Sequence, residues 1–312
     1  MNVCHLITHN PHVTAGGIET VAEELGKVYD IKWLGSGGAM SLPKGFLMAL
    51  RLRFSKYDVI HIHDNSGYWC TWLARNKKLL YTCHGFWKEI VGKLDPPQSF
   101  MGKLKAIIVT RMQSRIIKKS NAVVPITSNI KKILEEEYGI LPFRVIQNGV
   151  DTEKFRPIKS RKPYDYIWVG TNPKGKRLYD AIKFARGKNK KIAVVGTSGD
   201  NTSHAVFLGK VKSGDMPALY NNAKFFIYFN TQKEPPIAML EAMSCGLGVI
   251  TNDYIIGELT PSYAKKGLLS LGGEKANVAT LDGKRARSVA ENFDWRTIRS
   301  RYADIYEKLK GR

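Results

Sequence analysis

The sequence predicts an α/β protein built from two doubly wound, Rossmann-like domains. Short apolar runs of strand character alternate with amphipathic segments from end to end, the rhythm of βαβ units around a parallel sheet. A polar, turn-rich stretch at Asn148–Pro157 (NGVDTEKFRP) interrupts that rhythm once, after which it restarts. The length of 312 residues suits two domains of about 100–200 residues each.

The elements follow in order. Asn2–Thr8 (NVCHLIT) is an apolar run suited to a buried strand, and Gly16–Tyr29 starts at a Gly-Gly turn and has helical periodicity. Val59–His63 (VIHIH) alternates, while Leu79–Cys83 (LLYTC) and Ala122–Ile126 (AVVPI) read as further strands. Met101–Lys119 between them reads as a basic amphipathic helix. It carries Lys103, Lys105, Arg111, Arg115, Lys118 and Lys119 without an acid, beside Leu104, Ile107, Ile108, Met112 and Ile116. Such a helix suits a membrane surface, and the upstream ALRLRFSKY has the same character. A core-facing helix with a solvated basic face has the same composition.

Beyond the polar stretch, strands are expected at Tyr166–Val169, Lys191–Val195, Val206–Leu208, Phe225–Phe229 and Gly248–Thr251, with helices at Arg177–Arg186 and Met216–Asn222. Proline is accepted in the first turn of a helix, so Pro235 or Pro236 opens one that runs through Ser244, and Gly246 closes it. Trp295–Lys310 is a charged helix with Ile298, Tyr302, Ile305, Tyr306 and Leu309 on one face.

Composition narrows the function. Lys+Arg number 49 against 27 Asp+Glu, a net charge of +22. That excess attracts nucleic acid, anionic lipid headgroups or phosphorylated substrates. No apolar run approaches the ~20 residues that span a bilayer. The start, MNVCHLITHNPHV, lacks a basic region followed by a long apolar core. Both features predict a cytoplasmic protein without a membrane span. Cys4, Cys70, Cys83 and Cys245 have no metal-ligand spacing and read as buried free thiols.

The chemistry concentrates in EPPIAMLEAMSCGLGVI, Glu234–Ile250. Glu234 lies at or just before the helix start, and Glu241 lies two turns in, roughly 10 Å along the axis. The free N–H groups and dipole of that start suit an anion. A nucleotide-sugar would meet both features, with a phosphate at the helix start and hydroxyls at the carboxylates. Taken alone, the segment favours a partly exposed helix glutamate beside a capping or surface charge. Gly16 and Gly17 in AGGIET let a ligand approach the backbone without a Cβ in the way, although an ordinary βα turn has the same residues. His61 and His63 face one side of their strand. No nearby acid or cysteine completes a metal site there, so satisfied polar groups at a strand end are expected. His84 (TCHG) closes the next strand.

These segments together resemble the retaining glycosyltransferases of family 4, the glycosyl transferases group 1. That family has the GT-B fold, two Rossmann-like domains facing across a cleft with a C-terminal helix crossing back to the first. LEAMSCGLGVI resembles the family's glutamate helix and turn. NGVDTEKFRP resembles its interdomain segment, VGTNPKGKRLYDAIKFA the first strand and helix of its donor domain, and FDW the start of its last helix. The likeness covers nearly the whole chain. It implies an acceptor domain at 1–157, a nucleotide-sugar domain at 158–292 and a returning helix at 293–312.

The resemblance also implies roles. Glu241 would hold the ribose hydroxyls and Glu234 the donor sugar. The family places one more residue between its two glutamates than the six found here. Either a deletion leaves Glu234 in the role, or Lys233 has replaced the acid. Gly248 stands where the family usually has proline. Lys176 would neutralise the departing diphosphate. Thr171 stands at the family's arginine, so the second cation is missing or comes from Lys174 or Arg177. Gly16, Gly17, Gly170, Thr171, Val211, Pro236 and Ile237 complete the implied donor set, Val211 in the loop whose backbone reads the base. His84 would contact the sugar or support charge at its anomeric carbon. Lys103, Lys105, Arg111 and Arg115 would face the acceptor or a membrane.

The implied reaction is retaining transfer of a hexose from a UDP- or GDP-sugar to a hydroxyl on a glycan or lipid-linked acceptor. The implied setting is the inner face of a membrane, with an anionic membrane surface as a further partner and no metal or other cofactor. The alternative is a basic nucleic-acid-binding protein or a catalytically inactive GT-B relative. Nucleic acid accounts for the charge but not for LEAMSCG, NGVD and FDW together.

Overall fold

The four strands that the sequence predicts in the first half all form, and their cores are buried. The architecture comes from a computed structural model that describes residues 1–11, 16–35, 41–89, 99–171, 173–230, 235–260, 265–271 and 274–311. The chain forms two compact units, Met1–Asn148 with Ile298–Arg312 and Gly149–Thr297.

In the first unit the strands β1 (Val3–Ile7), β2 (Asp30–Trp33), β3 (Val59–Ile62), β4 (Lys78–Cys83) and β5 (Ala122–Pro125) form one sheet in the order β2-β1-β3-β4-β5. Every pairing is parallel. The inner strands are covered on both faces, so β1 and β4 read as apolar runs, while β3 alternates apolar residues with buried histidine. β2 is the unpredicted strand. It lies at the edge with Asp30, Lys32 and Trp33 exposed, so no apolar signal marks it. The helices are α1 (Gly17–Gly26), α2 (Ser41–Arg53), α3 (Cys70–Leu73), α4 (Trp87–Glu89), α5 (Phe100–Lys119) and α6 (Ser128–Tyr138). Ser99 caps α5, its Oγ accepting from Gly102 N–H at 3.0 Å, and Lys118 and Lys119 sit at the end where the dipole favours cations. Leu6, Ile60, Ile62, Ile116 and Leu134 belong to one core cluster.

In the second unit β6 (Tyr164–Val169), β7 (Ile192–Val195), β8 (Ala205–Gly209), β9 (Ala223–Tyr228) and β10 (Gly248–Asn252) are parallel to one another. Between and after them lie α7 (Leu178–Gly187), α8 (Met216–Asn221), α9 (Ile237–Ser244) and α10 (Asp253–Gly257). A hairpin of β11 (Lys265–Leu271) and β12 (Glu274–Leu281) adds antiparallel to β10. The full order is β11-β12-β10-β9-β6-β7-β8. α11 (Gly283–Glu291) follows, and α12 (Trp295–Lys310) ends the described chain. Its Ile298, Tyr302, Ile305, Tyr306 and Leu309 are buried, as their spacing implies.

The polar stretch after Asn148 is ordered within the second unit. Asp151 Oδ1 accepts from the N–H groups of Glu153 and Lys154 at 3.1 and 2.9 Å, a side-chain-closed turn. The half-buried Arg287 guanidinium on α11 then donates to three carbonyls, those of Thr152, Phe155 and Ser244, at 2.6–3.1 Å. Ser244 Oγ donates to Phe155 O at 2.5 Å. One arginine thus ties the NGVDTEKF loop to the C-terminal end of α9.

Candidate active site

In the second unit the carboxyl ends of the parallel strands are stitched backbone to backbone. Gly170, just after β6, donates its N–H to Val195 O at 3.0 Å, and Gly196, just after β7, donates to Gly209 O at 2.7 Å. Gly196 has φ +93, and a Cβ there would lie 2.6 Å from Gly170 O. Only glycine satisfies both demands. Neither Gly196 nor Gly209 was picked from the sequence, where VVGTSGD lacks any recognised glycine spacing.

Lys176 rests on this platform. Its Cδ lies 2.7 Å from where a Gly170 Cβ would stand, and its carbonyl accepts from the indole of the fully buried Trp168 at 3.1 Å. Burial lowers the pKa of the ammonium. Among the described residues that ammonium has no carboxylate or hydrogen-bond partner. A half-buried lysine without a counter-charge is set up to take an anion. Thr171 beside it is exposed. Arg177, the residue before α7, has φ 45 and lies 3.7 Å from Asp180, so part of its charge is already met.

α9 opens after Pro236 and closes at Gly246, as read from the sequence, with Ile237 as its first residue. Glu241 is half-buried on this helix, and its Oε2 accepts from the Tyr220 hydroxyl at 2.8 Å. Burial raises the Glu241 pKa, while the Tyr220 hydrogen bond and the Lys154 charge oppose the rise. Tyr220, on α8, is fully buried, and the same burial and the Glu241 charge hold its phenol protonated well above its usual range. The phenol is therefore a fixed donor that occupies one carboxylate oxygen and leaves the other for a ligand hydroxyl. Tyr220 lies in the Met216–Asn222 segment expected to be helical, but it stands twenty-one positions from Glu241 and no spacing rule joins them. Val211, two residues past β8, is half-buried. Glu234 and Lys233 lie outside the described residues.

In the first unit Gly16 precedes α1, and its carbonyl takes both the N–H and the hydroxyl of Thr20 at 2.9 and 2.8 Å. A Cβ on Gly16 would fall 2.2 Å from Glu19 Oε2, whereas nothing lies within 4 Å of one on Gly17. A carboxylate over Gly16 suits a ligand hydroxyl better than a phosphate at that point.

His84 heads a buried chain of hydrogen bonds. Its Nε2 lies 3.4 Å from His63 Nδ1, and His63 Nε2 lies 2.9 Å from His5 Nδ1. The Tyr306 hydroxyl meets His5 Nε2 at 3.4 Å and His61 Nδ1 at 2.8 Å, and His61 Nε2 meets Thr82 Oγ1 at 2.7 Å. Burial lowers the pKa of His84 to about 4 and of His5 to about 3, and pushes His61 and His63 well below the usual value. Each ring is thus neutral at pH 7, with one donor and one acceptor nitrogen. His5, His61 and His63 bring ligand nitrogens within 4.8 Å of one another. They are the candidate metal cluster among the described residues, but hydrogen bonds already engage those nitrogens and no carboxylate accompanies them.

Residues 9–154 match the family model for Glycosyltransferase Family 4, and residues 152–279 match that for Glycosyl transferases group 1. The chain belongs to glycosyltransferase family 4. A curated relative from Komagataeibacter xylinus, a GDP-mannose:cellobiosyl-diphosphopolyprenol alpha-mannosyltransferase, is 24% identical over 294 residues, covering 82% of this chain and 72% of the relative. Sucrose-phosphate synthase from Thermosynechococcus elongatus superposes with TM-score 0.69 at 13% identity, covering 99% of each chain. The catalytic domain of starch synthase IV from Arabidopsis thaliana, bound to ADP and acarbose, superposes with TM-score 0.67 at 12% identity over 100% of this chain and 99% of that one. This glycosyltransferase therefore has the GT-B fold, with two Rossmann-like domains.

Of the residues named from the sequence, Gly170, Thr171, Lys176, Val211, Pro236, Ile237 and Glu241 lie in the second unit, where Gly170 contacts Lys176. Gly16, Gly17 and His84 lie in the first. Lys103, Lys105 and Arg111 are exposed on α5. Arg115 is instead half-buried, donating from Nε to Thr71 Oγ1 at 2.9 Å with its guanidinium 3.4 Å above the Trp72 ring. It is a structural strut more than a free contact.

Proposed function

We propose that this glycosyltransferase moves a hexose, with retention, from a nucleoside-diphosphate-sugar to a hydroxyl of a lipid-linked or glycan acceptor, without a metal. The observation that carries the reading is Glu241. It is a carboxylate half-buried on the proline-opened helix, with one oxygen held by Tyr220 and the other available to a ribose. Lys176 supports it as a cation without a counter-charge among the described residues, placed beyond the carboxyl ends of parallel strands where ligands of such sheets bind.

Transfer builds positive charge on the sugar ring and negative charge on the departing diphosphate. Lys176 and the free N–H groups at the start of α9 stabilise the diphosphate. Glu241 fixes the ribose and thereby the diphosphate against them. Neutral His84 offers a polar ring atom to the sugar or its anomeric carbon without repelling positive charge. The diphosphate oxygen takes the acceptor's proton on the same face, so no carboxylate nucleophile is needed. The donor is a GDP- or UDP-sugar. The GDP-mannose of the Komagataeibacter relative favours guanosine, and its diphosphopolyprenol acceptor favours a lipid-linked acceptor and a cytoplasmic protein peripheral on the membrane's inner face. Among the described residues no helix is long and apolar enough to cross a membrane.

The test is hydrolysis and transfer with UDP-, GDP- and ADP-sugars. Turnover with one of them is expected to fall about 10²–10³-fold in Lys176→Ala, the usual cost of one preorganised donor. Tight nucleic-acid binding with no turnover on any donor would overturn the reading.

A further inference from the structure

The first unit exposes large apolar side chains where a soluble surface would carry polar ones. Leu47, Phe54, Trp72, Phe100, Met101 and Ile107 are 54, 79, 45, 79, 68 and 49% exposed. They come from α2 and the residue after it, from α3, and from α5. These segments form one structural block. Phe46 of α2 meets Trp69 edge to face at 5.4 Å, and Arg53 donates to Leu73 O at 3.0 Å. From the other side Asn65 donates to Val109 O of α5 at 3.3 Å, and Arg115 of α5 lies over Trp72. Both helices clasp residues 65–73, with Trp72 exposed between them. Neither helix contains an acid, while Arg51, Arg53, Lys103, Lys105 and Arg111 line them.

We propose that this α2–α3–α5 face docks on an anionic lipid surface. An apolar patch this rich in large side chains marks an interaction site. Its charge selects the occupant. A second copy of the chain would bring like charge against like charge on helices without a single acid. Nucleic acid would meet the cations but leave Leu47, Met101 and Ile107 without apolar partners. A bilayer interface supplies both an acyl boundary for the apolar side chains and phosphates for the cations. The inference extends the lipid-linked acceptor of the proposed function but stands on surface geometry alone.

Flotation of the full chain with vesicles tests it. Phosphatidylcholine vesicles with and without phosphatidylglycerol are compared at about 0.1 M salt, where the Debye length is about 10 Å, and about 1 M, where it is about 3 Å. The protein is expected to float with the anionic vesicles only, and to release at high salt. Leu47→Glu with Ile107→Glu is expected to cut partitioning about tenfold or more. Lys103→Glu with Lys105→Glu is expected to abolish the preference for the anionic lipid. Lys131→Glu on α6 should float as the parent does, and unchanged melting establishes that the variants fold. Equal flotation on neutral vesicles, normal flotation of the Leu47/Ile107 variant, or a dimer that this variant splits and that never floats would overturn it. Donor hydrolysis measured without vesicles keeps the two claims apart. Flotation without turnover sinks only the proposed function, and turnover without flotation sinks only the docking face.

Discussion

Glu241 acts through two opposed influences, burial that favours its neutral form and a Tyr220 hydroxyl that favours its charged form. A carboxylate can accept a ribose hydroxyl on its free oxygen, whereas the protonated acid loses half of that capacity. Nucleoside diphosphate binding should therefore weaken as pH falls, with a midpoint above the ordinary glutamate value of about 4.3. Titration calorimetry from pH 7 to 4 reads that midpoint. Tyr220→Phe removes the charge-assisted hydrogen bond, worth about 1.5–3 kcal/mol. It should move the midpoint higher and weaken binding at pH 7, while Glu241→Gln should flatten the pH dependence altogether. A pH profile unchanged in both variants would mean that this carboxyl does not touch the ligand.

At the scale of elements, the backbone stitching of β6, β7 and β8 makes a sharper demand than any side chain. Gly196→Ala must relieve both a left-handed φ and a 2.6 Å approach to Gly170 O, so the strand ends and the Lys176 stem resting on them must move. Its melting temperature should fall, and nucleotide affinity should fall with it. Gly246→Ala, with φ +78 and 3.3 Å to Pro157 Cγ, carries the backbone penalty of about 1–2 kcal/mol with less displacement, and should cost stability more than affinity. Calorimetric melting beside nucleotide titration separates the two. These elements also mark how far the sequence could be read. The inner parallel strands and α9 with both its ends were legible, because full burial writes itself as apolar runs and proline and glycine punctuate helices. The edge strand β2 and the β11–β12 hairpin were not, since one is exposed and the other breaks the parallel rhythm on which the reading relied. In the candidate site the sequence names Lys176, Glu241 and His84 one by one, but it does not show Tyr220 beside Glu241 or Tyr306 beside His5 and His61. Those contacts join segments that only packing brings together.

At the scale of the molecule, the two units should respond to acid in a fixed order. His5, His61, His63 and His84 all lie in the first unit with folded pKa values below their unfolded value of about 6.5. Between those values the unfolded chain binds more protons than the folded one. The stability these rings contribute is thus complete above pH 6.5 and is lost as pH falls. A ring that stays neutral while its unfolded counterpart protonates costs about 1.36 kcal/mol per pH unit, and all four rings act in the same direction. Domains are stable by only about 5–15 kcal/mol, so the first unit should lose stability in acid before the second. The second unit answers differently. Burial would raise the pKa of Asp294, but hydrogen bonds from Arg296 and Thr152 outweigh it and hold the carboxyl at about 2. Its stabilising effect is therefore lost only below the ordinary carboxylate range. Glu241, with its pKa raised, favours the folded second unit as pH falls through that range. Amide hydrogen exchange followed peptide by peptide from pH 7 to 4 should show the β1–β5 sheet losing protection while β6–β10 keep theirs. Simultaneous loss, or loss in the second unit first, would mean that the histidine chain is not held neutral by burial.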